Sequence, residues 1–280
     1  MKNIKTILFL FIFSFCILSC SKDDEIIQAK TNPAPAQYRI KEQLFASGTQ
    51  SSFSYNSQNK ITKIAYSDGF LFTYNYNNAG QIISSETAGY ANMALNNIKT
   101  ITYDLSGFVI EELVVNSAGD KYKYVYINNS SGFPLTRKSF KWNTTNSVFE
   151  ELLPSGHVYF YNTINQLLRL EVADSYILYS YDSKGNLIEN KTFKKTTNGS
   201  YYLQAQSNTT FDDKRAFSTT PNSNRINNPL ELIEKRFSES GDITSQSTFN
   251  YSYEYNEMGY PIKKYSNGIL KETNTFEIVN

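Results

Sequence analysis

His157 is the only histidine of the chain, and in Pro154-Ser155-Gly156-His157-Val158 it follows a serine by two residues. Serine and histidine are the residue types of a nucleophile and its base. Alternate residues in a turn that enters a strand rarely face each other, so no such pair is expected here. One histidine also cannot build a two-histidine metal site. Three adjacent carboxylate pairs, Glu111-Glu112, Glu150-Glu151 and Asp212-Asp213, carry the groups a glycosidase needs. Neighbours on a strand point to opposite faces, so each pair is expected to offer one outward charge and one rim charge. No two glycines lie two apart, and the phosphate-loop and nucleophile-elbow patterns are absent. No catalytic residue, cofactor or metal is therefore expected. The remaining chemistry is aromatic, with 22 Tyr and 19 Phe. Ring faces can stack on sugars, but rows of rings are first of all expected to be cross-strand packing pairs. The sole tryptophan, Trp142, stands beside a polar loop and is the aromatic singled out for ligand contact.

The N-terminus addresses the chain. Lys2 and Lys5 precede a nearly unbroken apolar run from Ile7 to Leu18. That run is too short to span ~30 Å of hydrocarbon and reads as a signal peptide. Leu18-Ser19-Cys20 resembles the bacterial lipobox, which implies that Cys20 is acylated and becomes the first mature residue. Acyl chains anchor firmly, at about 0.8 kcal/mol per buried CH₂. Ser21, Lys22, Asp23, Asp24 and Glu25 resemble the acidic tether of surface-exported lipoproteins of Bacteroidota. Asn32-Pro33-Ala34-Pro35-Ala36 continues as linker. The expected organisation is a leader over 1–19, a lipidated tether over 20–37 and one domain over 38–280. The expected location is the outer membrane, lipid-anchored and facing the cell exterior.

Removing Lys2 and Lys5 lowers the formal charge from +1 to −1. A near-neutral chain without basic blocks argues against nucleic acid, whose binding rests on phosphate neutralisation. Cys16 falls in the leader and Cys20 carries the lipid, so the domain has no disulfide or cysteine metal site. Burial and the hydrogen-bond ladder must hold it.

One pattern recurs: an aromatic, Asn or Asp, two variable residues, Gly or Asn, one variable residue, then apolar residues. It begins at Tyr55, Tyr76, Tyr103, Tyr161, Tyr181 and Tyr255. A stretched copy runs from Tyr126 to Leu135 with its glycine at Gly132, and a degenerate one is Phe211-Asp212-Asp213-Lys214-Arg215. Asn or Asp opens a type I turn, and the later Gly or Asn takes the left-handed conformation. Each copy is thus a hairpin tip with a bulged glycine. Gly80, Gly107, Gly185 and Gly259 are the structural turn residues, and positive φ is expected at each. Period-two alternation around the tips, as in Phe249, Tyr251, Tyr253 and Tyr255, marks strands with one covered face. At about two strands per hairpin the count is roughly 16–19. An antiparallel meander of that length is expected to curl towards closure, because its edges need partners. Residues 212–229 lack strand alternation and are expected to form a long loop.

The tips resemble the YD repeat of Rhs and teneurin-type proteins, most closely at Tyr103 and Tyr181. The lipobox, tether and scattered tips together resemble Bacteroidota lipoproteins described as porin-like. Asp212-Asp213-Lys214 and Asn227-Asn228-Pro229 match two further segments of those proteins. The resemblance implies an all-β, soluble, barrel-like or half-barrel sheet, with no activity to transfer. An integral barrel is disfavoured by charges on both strand faces, by the anchor and by rows ending in tyrosine hydroxyls. The leading reading is a non-enzymatic surface protein, a binding or structural accessory whose partner is a glycan or another surface protein. The alternatives are a carbohydrate-binding protein for glycan uptake and a polysaccharide hydrolase or lyase.

Overall fold

The structure, a computed structural model, describes residues 37–152, 156–216 and 226–279. The leader, Cys20 and Ser21 to Glu25 lie outside the described residues, as does Ser155. Residues Ala36–Asn280 form one compact unit.

The first quarter of that unit holds β1 (Gln37–Phe45), β2 (Gln50–Tyr55), β3 (Ile61–Tyr66), β4 (Leu71–Tyr76) and β5 (Ile82–Ala88). A single turn of 3-10 helix, Met93–Leu95, is capped by Asn92 and leads to β6 (Asn97–Tyr103). Then come β7 (Val109–Asn116), β8 (Lys121–Asn128), β9 (Pro134–Asn143), β10 (Val148–Glu151) and β11 (His157–Tyr161). The next four are β12 (Leu167–Val172), β13 (Ser175–Tyr181), β14 (Leu187–Lys195) and β15 (Tyr201–Arg215). The last are β16 (Asn227–Phe237), β17 (Ile243–Tyr255), β18 (Pro261–Ser266) and β19 (Ile269–Val279).

Every pairing is antiparallel, and β19 returns to β1, so the 19-stranded sheet closes. β10 pairs with one end of β9 and β11 with the other, so the two share one position in the ring, which has 18 staves. Closure removes both edges, which is the physical reason a meander of this length curls at all.

The registers sort the side chains into two walls. Phe53 opposes Ile64, and Ile64 opposes Phe72. Arg137 opposes His157, and Tyr253 opposes Lys264. These residues lie on one continuous face, and that face is the interior. Tyr161 on β11 and Lys264 on β18, seven staves apart, line a common cavity. Among the described residues the buried apolar core is Ile40, Phe53 and Ile64, with Tyr55, Phe72, Tyr74 and Phe276 packed on them. The outer wall carries exposed Ser52, Lys63, Glu86, Lys138, Ser252 and Glu254. A lysine on a lipid-facing wall would cost about 2–4 kcal/mol at mid-bilayer.

Two expectations are corrected. The copy at Tyr126 is not stretched. Its turn is Asn129 to Phe133, of ordinary length, and Asn128 occupies the aromatic position. Residues 212–229 are not one long loop, since β15 runs to Arg215 and β16 starts at Asn227. The reason is that polar side chains replace ladder bonds there, which hides the alternation: Asp212 accepts from the Asn228 backbone N–H at 3.0 Å.

Candidate functional site

An up-and-down ring puts all the repeat tips at one rim, together with the start of β1 and the end of β19. The ladder between successive hairpins stops short of this rim. β3 and β4, for example, pair only from Lys63↔Thr73 to Ala65↔Leu71. In four copies the repeat tyrosine fills the gap. Its hydroxyl donates to the carbonyl left free on the preceding hairpin: Tyr55 to Ile40 at 2.5 Å, Tyr76 to Ile61 at 2.6 Å, Tyr103 to Ile82 at 2.7 Å and Tyr181 to Leu167 at 3.0 Å. A buried carbonyl needs such a partner, and a tyrosine is both wide enough to wedge the gap and able to donate across it. Where the repeat departs from tyrosine, an asparagine donates instead: Asn128 to Val109 at 2.7 Å and Asn274 to Pro261 at 3.0 Å. Burial raises the phenol pKa at Tyr55, Tyr76, Tyr103 and Tyr181, and at Tyr161 to about 12. These hydroxyls stay protonated and act as donors.

Within each tip the Asn or Asp behaves as its spacing implies. Asp104 accepts from the N–H groups of Ser106 and Phe108, both at 2.9 Å. Gly80, Gly107, Gly185 and Gly259 have φ of 73°, 82°, 91° and 79°. The tips also grip one another, which single-copy sequence reading missed. Gln81 donates to the Gly107 carbonyl at 2.8 Å, and the Phe108 ring lies on Gly132. A Cβ at Gly132 would stand 2.2 Å from that ring.

The two segments Asp212-Asp213-Lys214 and Asn227-Asn228-Pro229 form the joint between three hairpins. Asp212 accepts from Asn228 and from the Tyr255 hydroxyl. Asn227 donates to the Lys214 carbonyl at 2.8 Å, and buried Asn186 donates to Asn227 at 3.0 Å and Asp182 at 2.8 Å. These carboxamides are spent on one another. Asp213 is exposed and faces Lys214. The other carboxylate pairs divide as well. Glu112 points inward to Lys99 and the Tyr126 hydroxyl, and Glu151 points outward to Lys138. In none of these three adjacent pairs do both carboxylates face the same way.

His157 begins β11 on the inner wall, where an Arg137 N–H donates to its Nε2 at 2.8 Å. A guanidinium only donates, so this nitrogen carries no proton. Arg137 also lies over the Tyr124 ring. Trp142 is on the outer wall. Phe149 meets it edge-on at 5.0 Å between centroids, and the Lys121 ammonium stands 5.4 Å from its ring centre. Only a shallow groove with Asn143 and Glu150 adjoins it.

A cavity of about 840 Å³ opens at the tyrosine rim between β11 and β18. Phe133, Tyr161, Leu167, Phe211, Ile226 and Leu232 supply most of its wall. Lys184 stands at the mouth and Lys264 on the inner wall, and no carboxylate lines it among the described residues. Its volume falls in the range of small-molecule sites. No signal in the sequence pointed to it, because its walls come from five hairpins. Among the described residues no cluster of metal-ligating side chains occurs.

No family model matches the sequence, and no curated protein matches it. Solved structures do. A porin-like protein from Bacteroides uniformis is 14% identical, with a TM-score of 0.42, covering 86% of this chain and 98% of that one. A porin-like protein from Bacteroides vulgatus is 12% identical, with a TM-score of 0.43, covering 85% and 98%. A TcdB2-TccC3-TEV crystal structure is 11% identical, with a TM-score of 0.40. This chain covers 86% of itself there but only 15% of that chain.

Proposed function

We propose that this chain is a non-enzymatic binding protein, held at the outer membrane by lipid on Cys20, whose barrel stands outside the hydrocarbon. The observation that carries the reading is the exposed charge on the outer wall, at Lys63, Glu86, Lys138 and Glu254. Apolar residues such as Ile98 and Ile127 are scattered among these charges, while the inside holds rings, paired charges such as Lys99 and Glu112, and a cavity. Such a barrel does not need lipid around it and has an interior to offer a ligand. The phenols of Tyr55, Tyr76, Tyr103 and Tyr181 are committed as donors and each adjacent carboxylate pair is split, which supports binding over hydrolysis or elimination. Trp142 carries the alternative, a glycan-binding role, and a glycan array on the chain tests it.

The anchor is tested by labelling and flotation. Cys20→Ala is expected to lose labelled palmitate and to leave the membrane fraction. A variant that still floats and incorporates label would overturn the assignment. Alanines at Lys22 to Glu25 are expected to keep the lipid but to lower protease accessibility on whole cells. Unchanged accessibility would remove surface export from the reading.

A further inference from the structure

We propose that the rim cavity takes a single acyl chain ending in an anion, a ligand of the fatty-acid class. This rests on the binding reading above and gives its ligand a chemistry. Three observations converge. First, the wall is made mainly of aromatic and aliphatic side chains, which suits methylene groups better than sugar hydroxyls. Second, the buried carboxamides at its edge, Asn186 and Asn227, are already bonded to Asp182, Lys214 and each other. A glycan would find no array of free partners there, and unpaired sugar hydroxyls would be penalised. Third, the charge that remains is cationic. The Lys264 ammonium lies 5.2 Å from the Tyr251 ring centre on the inner wall. Its register partner is Glu272, yet Lys264 forms no ion pair among the described residues. Lys184, at the mouth, is exposed.

The position of the mouth fits the same ligand. The cavity opens through the tips around Gln166 and Gly185, the rim from which β1 starts at Gln37. With Cys20 lipidated, that rim is the one tied to the membrane, where acyl chains are concentrated. A chain would enter between the tips and lie along the rings, with its anion at Lys264 on the inner wall.

The ring closes within Gln37–Val279, so the chain from Ser21 onward serves for the test. Palmitate and the lysophosphatidic acid of the same chain length are the two sources of this chemistry, and each is titrated by calorimetry. Hexadecanol provides the uncharged comparison. Binding of at least one anion, roughly tenfold or more tighter than hexadecanol, is the expected result. Lys264→Met keeps the apolar stem and should abolish that preference. Thr209→Trp, which fills the cavity from the wall, should weaken all three together. The proposal falls if neither anion binds. It also falls if both variants, folded by circular dichroism, bind like the parent, or if an acidic oligosaccharide binds while palmitate does not. The anchor and accessibility tests above use no ligand, so they can fail or hold independently of this one. Should the variants not fold, the preference of the parent for the anions over hexadecanol still decides.

Discussion

Two sectors of the ring use the same hairpin and end differently. Over β1 to β4 the inner wall carries Ile40, Phe53, Ile64 and Phe72, and the wall is packed shut. Over β11 to β18 the inner positions include Ala205, Ser207 and Thr209, and the cavity lies against Thr209. The tips, the bulges and the tyrosine bond are common to both sectors. The size of the inward residues between the tips decides whether a sector becomes core or container. A repeat of this kind fixes the wall and leaves its lining free to vary.

The largest difference should appear on truncation. Ile64 is 2% exposed within the packed sector, and Ile64→Ala should cost about 2–5 kcal/mol, because a closed wall cannot collapse around the void. Leu232 already borders empty space, so Leu232→Ala should cost nearer 1 kcal/mol. Urea unfolding of both variants measures the difference. Equal costs would mean that the two sectors are packed alike.

The tips come next. Gly132→Ala sets a Cβ against the Phe108 ring at a φ of 83° and should cost about 2–3 kcal/mol. Gly259 has a φ of 79° with open space beside it, so Gly259→Asn should cost well under 1 kcal/mol. A Gly132→Ala variant as stable as the parent would show that the tips do not interlock.

The strand count, the tendency to curl and the tips could be read from the sequence because they rest on local signals, whereas full closure depends on β19 meeting β1. Tyrosine, Asn or Asp and Gly at fixed spacing specify a turn wherever they occur, and Asn59 and Asn165 take the left-handed position with φ of 57° and 61°. What could not be read depends on neighbours between hairpins. The tyrosine hydroxyl reaches a carbonyl 14 to 21 residues away, and Phe108 meets Gly132 only once two tips stand side by side. The joint of Asp212, Asn228 and Tyr255 looked like a loop because its bonds run through side chains. The cavity left no trace at all, since a small inward residue such as Thr209 looks the same on either wall. Trp142 stood out by type, but its ring already packs against Phe149 and under Lys121.

Removing one hydroxyl gives a smaller and finer test. In Tyr55→Phe the Ile40 carbonyl loses its donor in the packed sector, where water has no room, and about 1–1.5 kcal/mol should be lost. In Tyr181→Phe the Leu167 carbonyl borders the cavity, where water can replace the phenol, so about 0.5 kcal/mol is expected. Thermal or urea denaturation resolves the two. A reversed order would place the dry sector on the wrong side of the ring.

The last test needs no substitution. Burial raises the phenol pKa of Tyr161 from 10.0 to about 12, and those of Tyr55, Tyr103 and Tyr181 rise for the same reason. A group with a raised folded pKa binds its proton more tightly in the native state. Its contribution is complete below pH 10 and is lost as the pH climbs through the folded value, because the unfolded chain ionises first. Stability should therefore be flat with respect to these phenols up to about pH 10 and fall steeply towards pH 12. The loss should begin in the cavity sector, where hydroxide has access to Tyr161 and Tyr181, and reach Tyr55 later. Hydrogen exchange of the Tyr181 and Tyr55 amides along a pH series from 9 to 12 (conditions set by the ordinary phenol pKa of about 10) follows the two sectors separately. If both amides open together at one pH, the ring unfolds as a unit and the sectors differ in lining but not in local stability.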